Sequence, residues 1–162
     1  MQGILATGLR RSFETQLKAA VPQFARVKGT KGPTLFSWCP AKPLTFFVVL
    51  VIDPHWDRFT IEIAWDESGK FPWGADPFLS PLEMTGEGKR FRLVRLWDET
   101  NDDFWWELSP RPTLTDIQAL IRRPDPAVLL PEVPAKVTEA ITRIVLYGVP
   151  YFVEVRRLLD QR

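Results

Sequence analysis

With 162 residues, 45% of them hydrophobic and 25% charged, the chain has the composition of one folded domain and not of a disordered segment. Its net charge of +1 is unevenly spread: residues 1–52 hold seven Lys/Arg against Glu14 alone (+6), residues 53–110 six against 13 acids (−7), and the remainder eight against six (+2). A balance this close to neutral argues against a strongly basic nucleic-acid binder, although a local basic face remains compatible with it.

Leu9, Phe13, Leu17, Val21 and Phe24 recur at three- and four-residue spacing, which predicts a helix over about residues 8–20 that Pro22 ends. "GTKGP" then turns the chain into a strand over 35–39. Cys39, in "FSWCP", reads as a small buried hydrophobe. As the lone cysteine it excludes an intramolecular disulfide and any cysteine-based zinc knuckle. Residues 44–52 are almost continuously apolar and β-branched, as expected of a central strand covered on both faces. Residues 59–66 alternate, with Phe59, Ile61, Ile63 and Trp65 on one face and Thr60, Glu62, Ala64 and Asp66 on the other. The two segments form an antiparallel hairpin joined by "DPHWDR".

Further strands are expected over 90–97 and 104–108, linked by the acidic loop "DETNDD". In the last third, Leu114, Ile117, Leu120 and Ile121 share one helical face, and Thr113 or Thr115 can cap its first turn. From Pro134, the residues Val137, Ile141, Ile144 and Val145 mark another helix. "YGVP" is expected to break or kink the chain before a last helical piece over 151–159. Strands followed by helices predict an α+β fold, an antiparallel sheet of about five strands with an N-terminal helix and C-terminal helices packed on one face. Residues 1–162 read as a single domain, helix plus sheet over about 1–110 and a helical tail over about 111–162. The N-terminus lacks the charged start and apolar run of a signal peptide, and the apolar run over 44–52 is too short to span a bilayer. No membrane association and a cytoplasmic location are expected.

His55, the only histidine, lies between Asp53 and Asp57. Three such groups at alternate positions can in principle converge on a metal, but Asp and Pro are favoured turn residues and no second His completes the usual ligand set. The segment is expected to be a bend. Asp76, Glu87 and Lys89 imitate the acid-x-Lys pattern of a metal-dependent nuclease, within "TGEGKR", where the glycines favour a turn. "DETNDD" lacks the glycine and the downstream bidentate Glu of a calcium loop. There is no GxSxG elbow and no Gly-rich phosphate loop. No catalytic residue, metal ligand or cofactor is therefore assigned.

What remains is aromatic surface. Residues 71–88 form a Pro/Gly-rich connection, and loops this long within a compact domain are usually functional or disordered. Phe71, Trp73 and Phe78 either cap the core or anchor a partner. In "DFWWEL", Trp105 and Trp106 face opposite sides of a strand, one in the core and the other exposed or under a helix. Arg92 and Arg95 flank this region. The candidate partner-binding residues are thus Phe71, Trp73, Phe78, Arg92, Arg95, Trp105 and Trp106.

"FETQLKAAVPQF", "FTIEIAWDESGKFP" and "RLWDETNDDFWWEL" resemble a family of small uncharacterised bacterial domains, over about residues 9–108. That family opens with a helix, continues with an F-T-[VI]-E-x-x-W strand and carries a late W-W-x-L. The resemblance implies a shared fold and a role as an accessory or immunity-type protein that binds another protein, such as a toxin or a secretion or defence component. It supplies no catalytic residues. The leading expectation is a non-enzymatic protein-interaction domain, with nucleic acid disfavoured as a partner. The alternative is a metal-dependent, nuclease-like hydrolase using Asp53, His55 and Asp57, or Asp76, Glu87 and Lys89.

Overall fold

The structure, a computed structural model, describes residues 1, 3–29, 32–75, 89–101, 103–109 and 124–162. The helix expected around Leu114–Ile121 lies outside the described residues, as do Phe78, Asp76 and Glu87. Helix α1 spans Gly3–Ala20, beginning earlier than the stripe from Leu9 suggests. Leu5 extends that stripe by one turn, so Leu5, Leu9, Phe13 and Leu17 line one buried face. The amide of Val21 closes the last turn on the Leu17 carbonyl at 2.8 Å, and Pro22 follows.

Six antiparallel strands follow among the described residues: β1 (Ala25–Arg26), β2 (Thr34–Ala41), β3 (Leu44–Ile52), β4 (Arg58–Asp66), β5 (Lys89–Arg92) and β6 (Trp106–Glu107). Their order is β1-β2-β3-β4-β5, and β6 pairs with the Arg58–Phe59 end of β4. β3 is central, as its apolar run predicts, and β3–β4 is the expected hairpin. The strand expected over 90–97 is shorter. After Arg92 the chain winds into a 3₁₀ turn, Leu93–Leu96, because the amides of Trp97 and Asp98 both return to the Val94 carbonyl. β6 is likewise only two residues long, and it pairs with β4, not with β5. Cys39 is exposed, not buried: Phe36 and Trp38 take the core face, so alternation puts Cys39 on the opposite face, near the end of β2 where the β2–β3 register shifts between Trp38 and Ala41.

The C-terminal part runs as α2 (Pro126–Leu129), a 3₁₀ turn at Leu130–Glu132, α3 (Val133–Arg143), a π turn at Ile144–Gly148 and α4 (Val149–Leu159). Asp125 caps α2 by accepting from the Ala127 amide at 2.9 Å, with Pro126 at the first helical position. "YGVP" does not break the helix. Pro150 offers no N–H, and its ring would crowd the Leu146 carbonyl in a regular α-helix; the π turn widens the coil at that point, and Gly148 keeps helical angles. Phase shifts accordingly, so Ile144 is buried whereas Val145 is exposed.

All these helices pack on one face of the sheet. That face carries Phe36, Phe46, Val48 and Leu50 with Phe59, Ile61, Ile63, Trp65 and Phe91. Phe13 of α1 meets Phe36 with ring centroids 5.5 Å apart, and Phe152 of α4 stacks on Phe46 at 4.6 Å. The Trp65 indole N–H donates to the Tyr151 hydroxyl at 3.2 Å, and burial pushes that phenol up to about 12 despite this bond. Gly148 faces Leu93 and Ile63, and a Cβ there would meet Leu93 Cδ1 at 3.4 Å, an ordinary contact distance.

Ile61 is fully buried in this layer. Truncating Ile61 to Ala should lower unfolding free energy by about 2–5 kcal/mol through lost burial and a residual cavity, measured by urea denaturation. An unchanged midpoint would place β4 in a different register.

Candidate functional site

The second face of the sheet carries the even-numbered side chains of β4 and β5. Apolar Leu35, Phe47 and Val49 bury the β2–β3 half of this face. The β4–β5–β6 half is charged. Glu62 is only 3% exposed, and Arg90 donates to it from Nε at 2.7 Å. Arg92 is the register partner of Glu62 across the β4–β5 pair and is itself buried. A buried carboxylate is tolerable only with such close compensation.

The guanidiniums also stack. Arg58 and Arg92 lie over the Trp105 ring, 4.3 and 4.6 Å from its centroid, and the Trp105 N–H donates to Asp103 at 2.7 Å. Arg90 lies 5.4 Å over Phe71, which meets Phe47 edge-on at 5.3 Å. Phe71 in turn supports Trp73 at 4.7 Å, edge to face. Two backbone hydrogen bonds tighten this corner, Trp73 N to Phe71 O at 2.9 Å and Ala75 N to Pro72 O at 3.2 Å. Trp73 nevertheless leaves 53% of its surface exposed.

Four of the candidate partner residues, Phe71, Trp73, Arg92 and Trp105, therefore share this face. Trp106 points the other way, stacked on Phe59 at 5.5 Å in the helix-covered core. Trp105, which immediately precedes β6, is partly buried, with Arg58 and Arg92 over its ring. Arg95 sits apart, in the 3₁₀ turn, where it donates to the Glu99 carbonyl. Arg58, Glu62 and Arg90 are the residues that sequence reasoning left out. Their signal is the spacing Arg58-x-Thr60-x-Glu62 opposite Arg90-x-Arg92, charges of opposite sign at alternate positions of strands that pair.

The His55 segment is a bend. Asp53 Oδ1 accepts from the amides of His55 at 2.8 Å and Trp56 at 3.0 Å, while Oδ2 accepts from Arg58 Nε at 2.8 Å. Arg58 also approaches Glu107 at 3.8 Å. Both Asp53 oxygens are thus engaged in shaping the turn. Among the described residues no group of three His, Cys, Asp or Glu side chains gathers as a metal site, so Asp53, His55 and Asp57 do not converge. Lys89 lies in β5, and its proposed companions Asp76 and Glu87 are outside the described residues. Burial pushes the Asp53 carboxyl up, but the bonds from His55, Arg58 and Trp56 and the Arg58 charge outweigh it and hold the group below the usual carboxylate range.

No family of known sequences, no curated protein and no solved structure matches the chain.

The lowered Asp53 value gives a sign to test. Its stabilising effect is complete above the ordinary carboxylate pKa and is lost as pH falls through the lower folded value. Asp53→Asn should cost about 1–3 kcal/mol at neutral pH, and the variant should lose less further stability than wild type below about pH 4. His55→Ala should stay within about 0.5 kcal/mol. Urea denaturation across the acid range checks both; a large loss in His55→Ala would overturn the account of the bend.

Proposed function

We propose that the chain is a protein-interaction domain whose contact element is the Phe71–Trp73 corner, with Trp73 as anchor. One observation carries this reading. Trp73 is half exposed, yet it rests on Phe71, which is held by Phe47 from the sheet and by Arg90 from above. A large aromatic already braced in its free conformation loses little freedom on binding, and Trp is among the residues that dominate interface energetics. The arginines of the same face are paired or stacked, which favours a partner recognised by shape and apolar contact over one recognised by charge.

The narrower reading is an accessory or immunity-type protein engaging a toxin or a secretion or defence component in the cytoplasm. Its support is the motif resemblance, together with a free, exposed Cys39, which suits a reducing compartment. Among the described residues no helix is long and apolar enough to cross a membrane.

Immobilised wild type and Trp73→Ala, compared by quantitative capture from the source cells and by melting, test the proposal. The partner retained by wild type should bind Trp73→Ala more weakly by about 2 kcal/mol or more, with little change in melting. If Trp73 instead completes the core, stability should fall by about 3–5 kcal/mol. That loss, with affinity unchanged in the folded fraction, would overturn the anchor.

A further inference from the structure

The β1 edge of the sheet carries a feature independent of Trp73. An open cleft of about 470 Å³ lies between α1 and the connection leading from β1 into β2, lined by Arg10, Glu14, Arg26, Lys28 and Thr34 among others. Arg10 and Glu14 are one helical turn apart on α1 and so share a side of the helix. The Val27 amide bonds the Leu35 carbonyl at 2.9 Å, which keeps the chain extended past β1 and places Arg26 and Lys28 on a common side. Helix and strand thereby deliver three cations to one concavity.

Among the described residues lining the cleft one carboxylate faces them, and it is already engaged: Glu14 accepts from Arg26 Nη1 at 3.0 Å. Three cations against one anion among these described residues leave an excess of two positive charges gathered in one concavity, where their fields add. The chain as a whole is nearly neutral, and the cleft gathers part of the +6 excess carried by residues 1–52. Gly29 and Gly32, at φ 78° and 111°, also line the cleft, and a Cβ at either would meet no atom of the described residues within 4 Å. The volume of the cleft falls within the roughly 300–1,000 Å³ common for small-ligand sites.

We propose that this cleft binds a small phosphate-bearing ligand. Arg10 and Lys28 meet the phosphate oxygens, and Arg26, steadied by Glu14, offers its remaining donors. Guanidinium matches phosphate oxygens in geometry as well as charge, and lysine adds a mobile point charge. No aromatic side chain lines the cleft among the described residues, so the recognised element is the phosphate and not a stacked base.

Nuclear magnetic resonance titration at low ionic strength, with inorganic phosphate, glycerol phosphate and a chloride control, tests the assignment. Saturable shifts centred on Arg10, Arg26, Lys28, Gly29 and Gly32, caused by a phosphate probe and not by chloride, are expected. The tighter of the two phosphate probes identifies free phosphate or a phosphomonoester as the ligand. Arg10→Gln/Lys28→Gln, which keeps the Arg26–Glu14 pair, should weaken binding by about tenfold or more with an unchanged melting temperature. Arg26→Gln gives a second reading on the same site. Absence of saturation at millimolar phosphate, equal binding by the variants, or shifts spread over all surface cations would overturn the proposal.

Discussion

Pairing of β3 with β4 sets the position of nearly everything else. It runs unbroken from Thr45↔Asp66 to Ile52↔Phe59, and it places Phe46, Val48 and Leu50 beside Trp65, Ile63 and Ile61 on one face. A slip of one residue would turn Glu62 and Thr60 into the helix-covered core and send Ile61 and Ile63 to the charged side. An uncompensated carboxylate in that core costs several kcal/mol, so the register is strongly fixed. The helices read this register directly, through Phe152 on Phe46 and Tyr151 on Trp65.

The second face solves a different problem. Its β4–β5 half buries charge, and it does so by cross-strand pairing: Glu62 with Arg90 by hydrogen bond, and with Arg92 by register. Trp105 completes the arrangement by receiving Arg58 and Arg92 on its ring. Replacing Arg90 alone would leave Glu62 buried without its direct ion-pair partner, a larger penalty than the pair's own net worth. Burial of both faces explains why β4 alternates in sequence yet is hidden along most of its length.

How much of this was legible in the sequence depended on the range of the interaction. The β3 bounds and the α1 stripe rest on local periodicity and could be read; even the missed start of α1 is signalled by Leu5, four residues before Leu9. The 3₁₀ turn after Arg92 could not, because consecutive Leu93 and Val94 are both buried and fit a strand equally well. Cys39 was misplaced because it was read by residue type, when alternation with Phe36 and Trp38 turns it away from the helix-covered core; "YGVP" was misplaced by a π turn that accommodates Pro150 and has no periodic signature. In the site, exposed aromatics were visible by type, while the partners that hold them were not. Arg90 and Glu62 are 28 residues apart, and only strand pairing brings them together.

Arg90 is where buried charge and exposed anchor meet. Its Nε is bonded to Glu62, and its guanidinium lies over Phe71. The orientation of that planar group is thus set by a carboxylate inside the sheet, and the ring beneath it inherits the constraint. Phe71 then passes the constraint to Trp73 through an edge-to-face contact. Lysine at position 90 could neutralise Glu62, but it has no planar group to cover the ring, so charge and stacking would be separated. Presentation of Trp73 is in this way tied to correct β4–β5 pairing. A molecule in which β5 has come away from β4 would lose the support of its anchor along with the compensation of its buried glutamate.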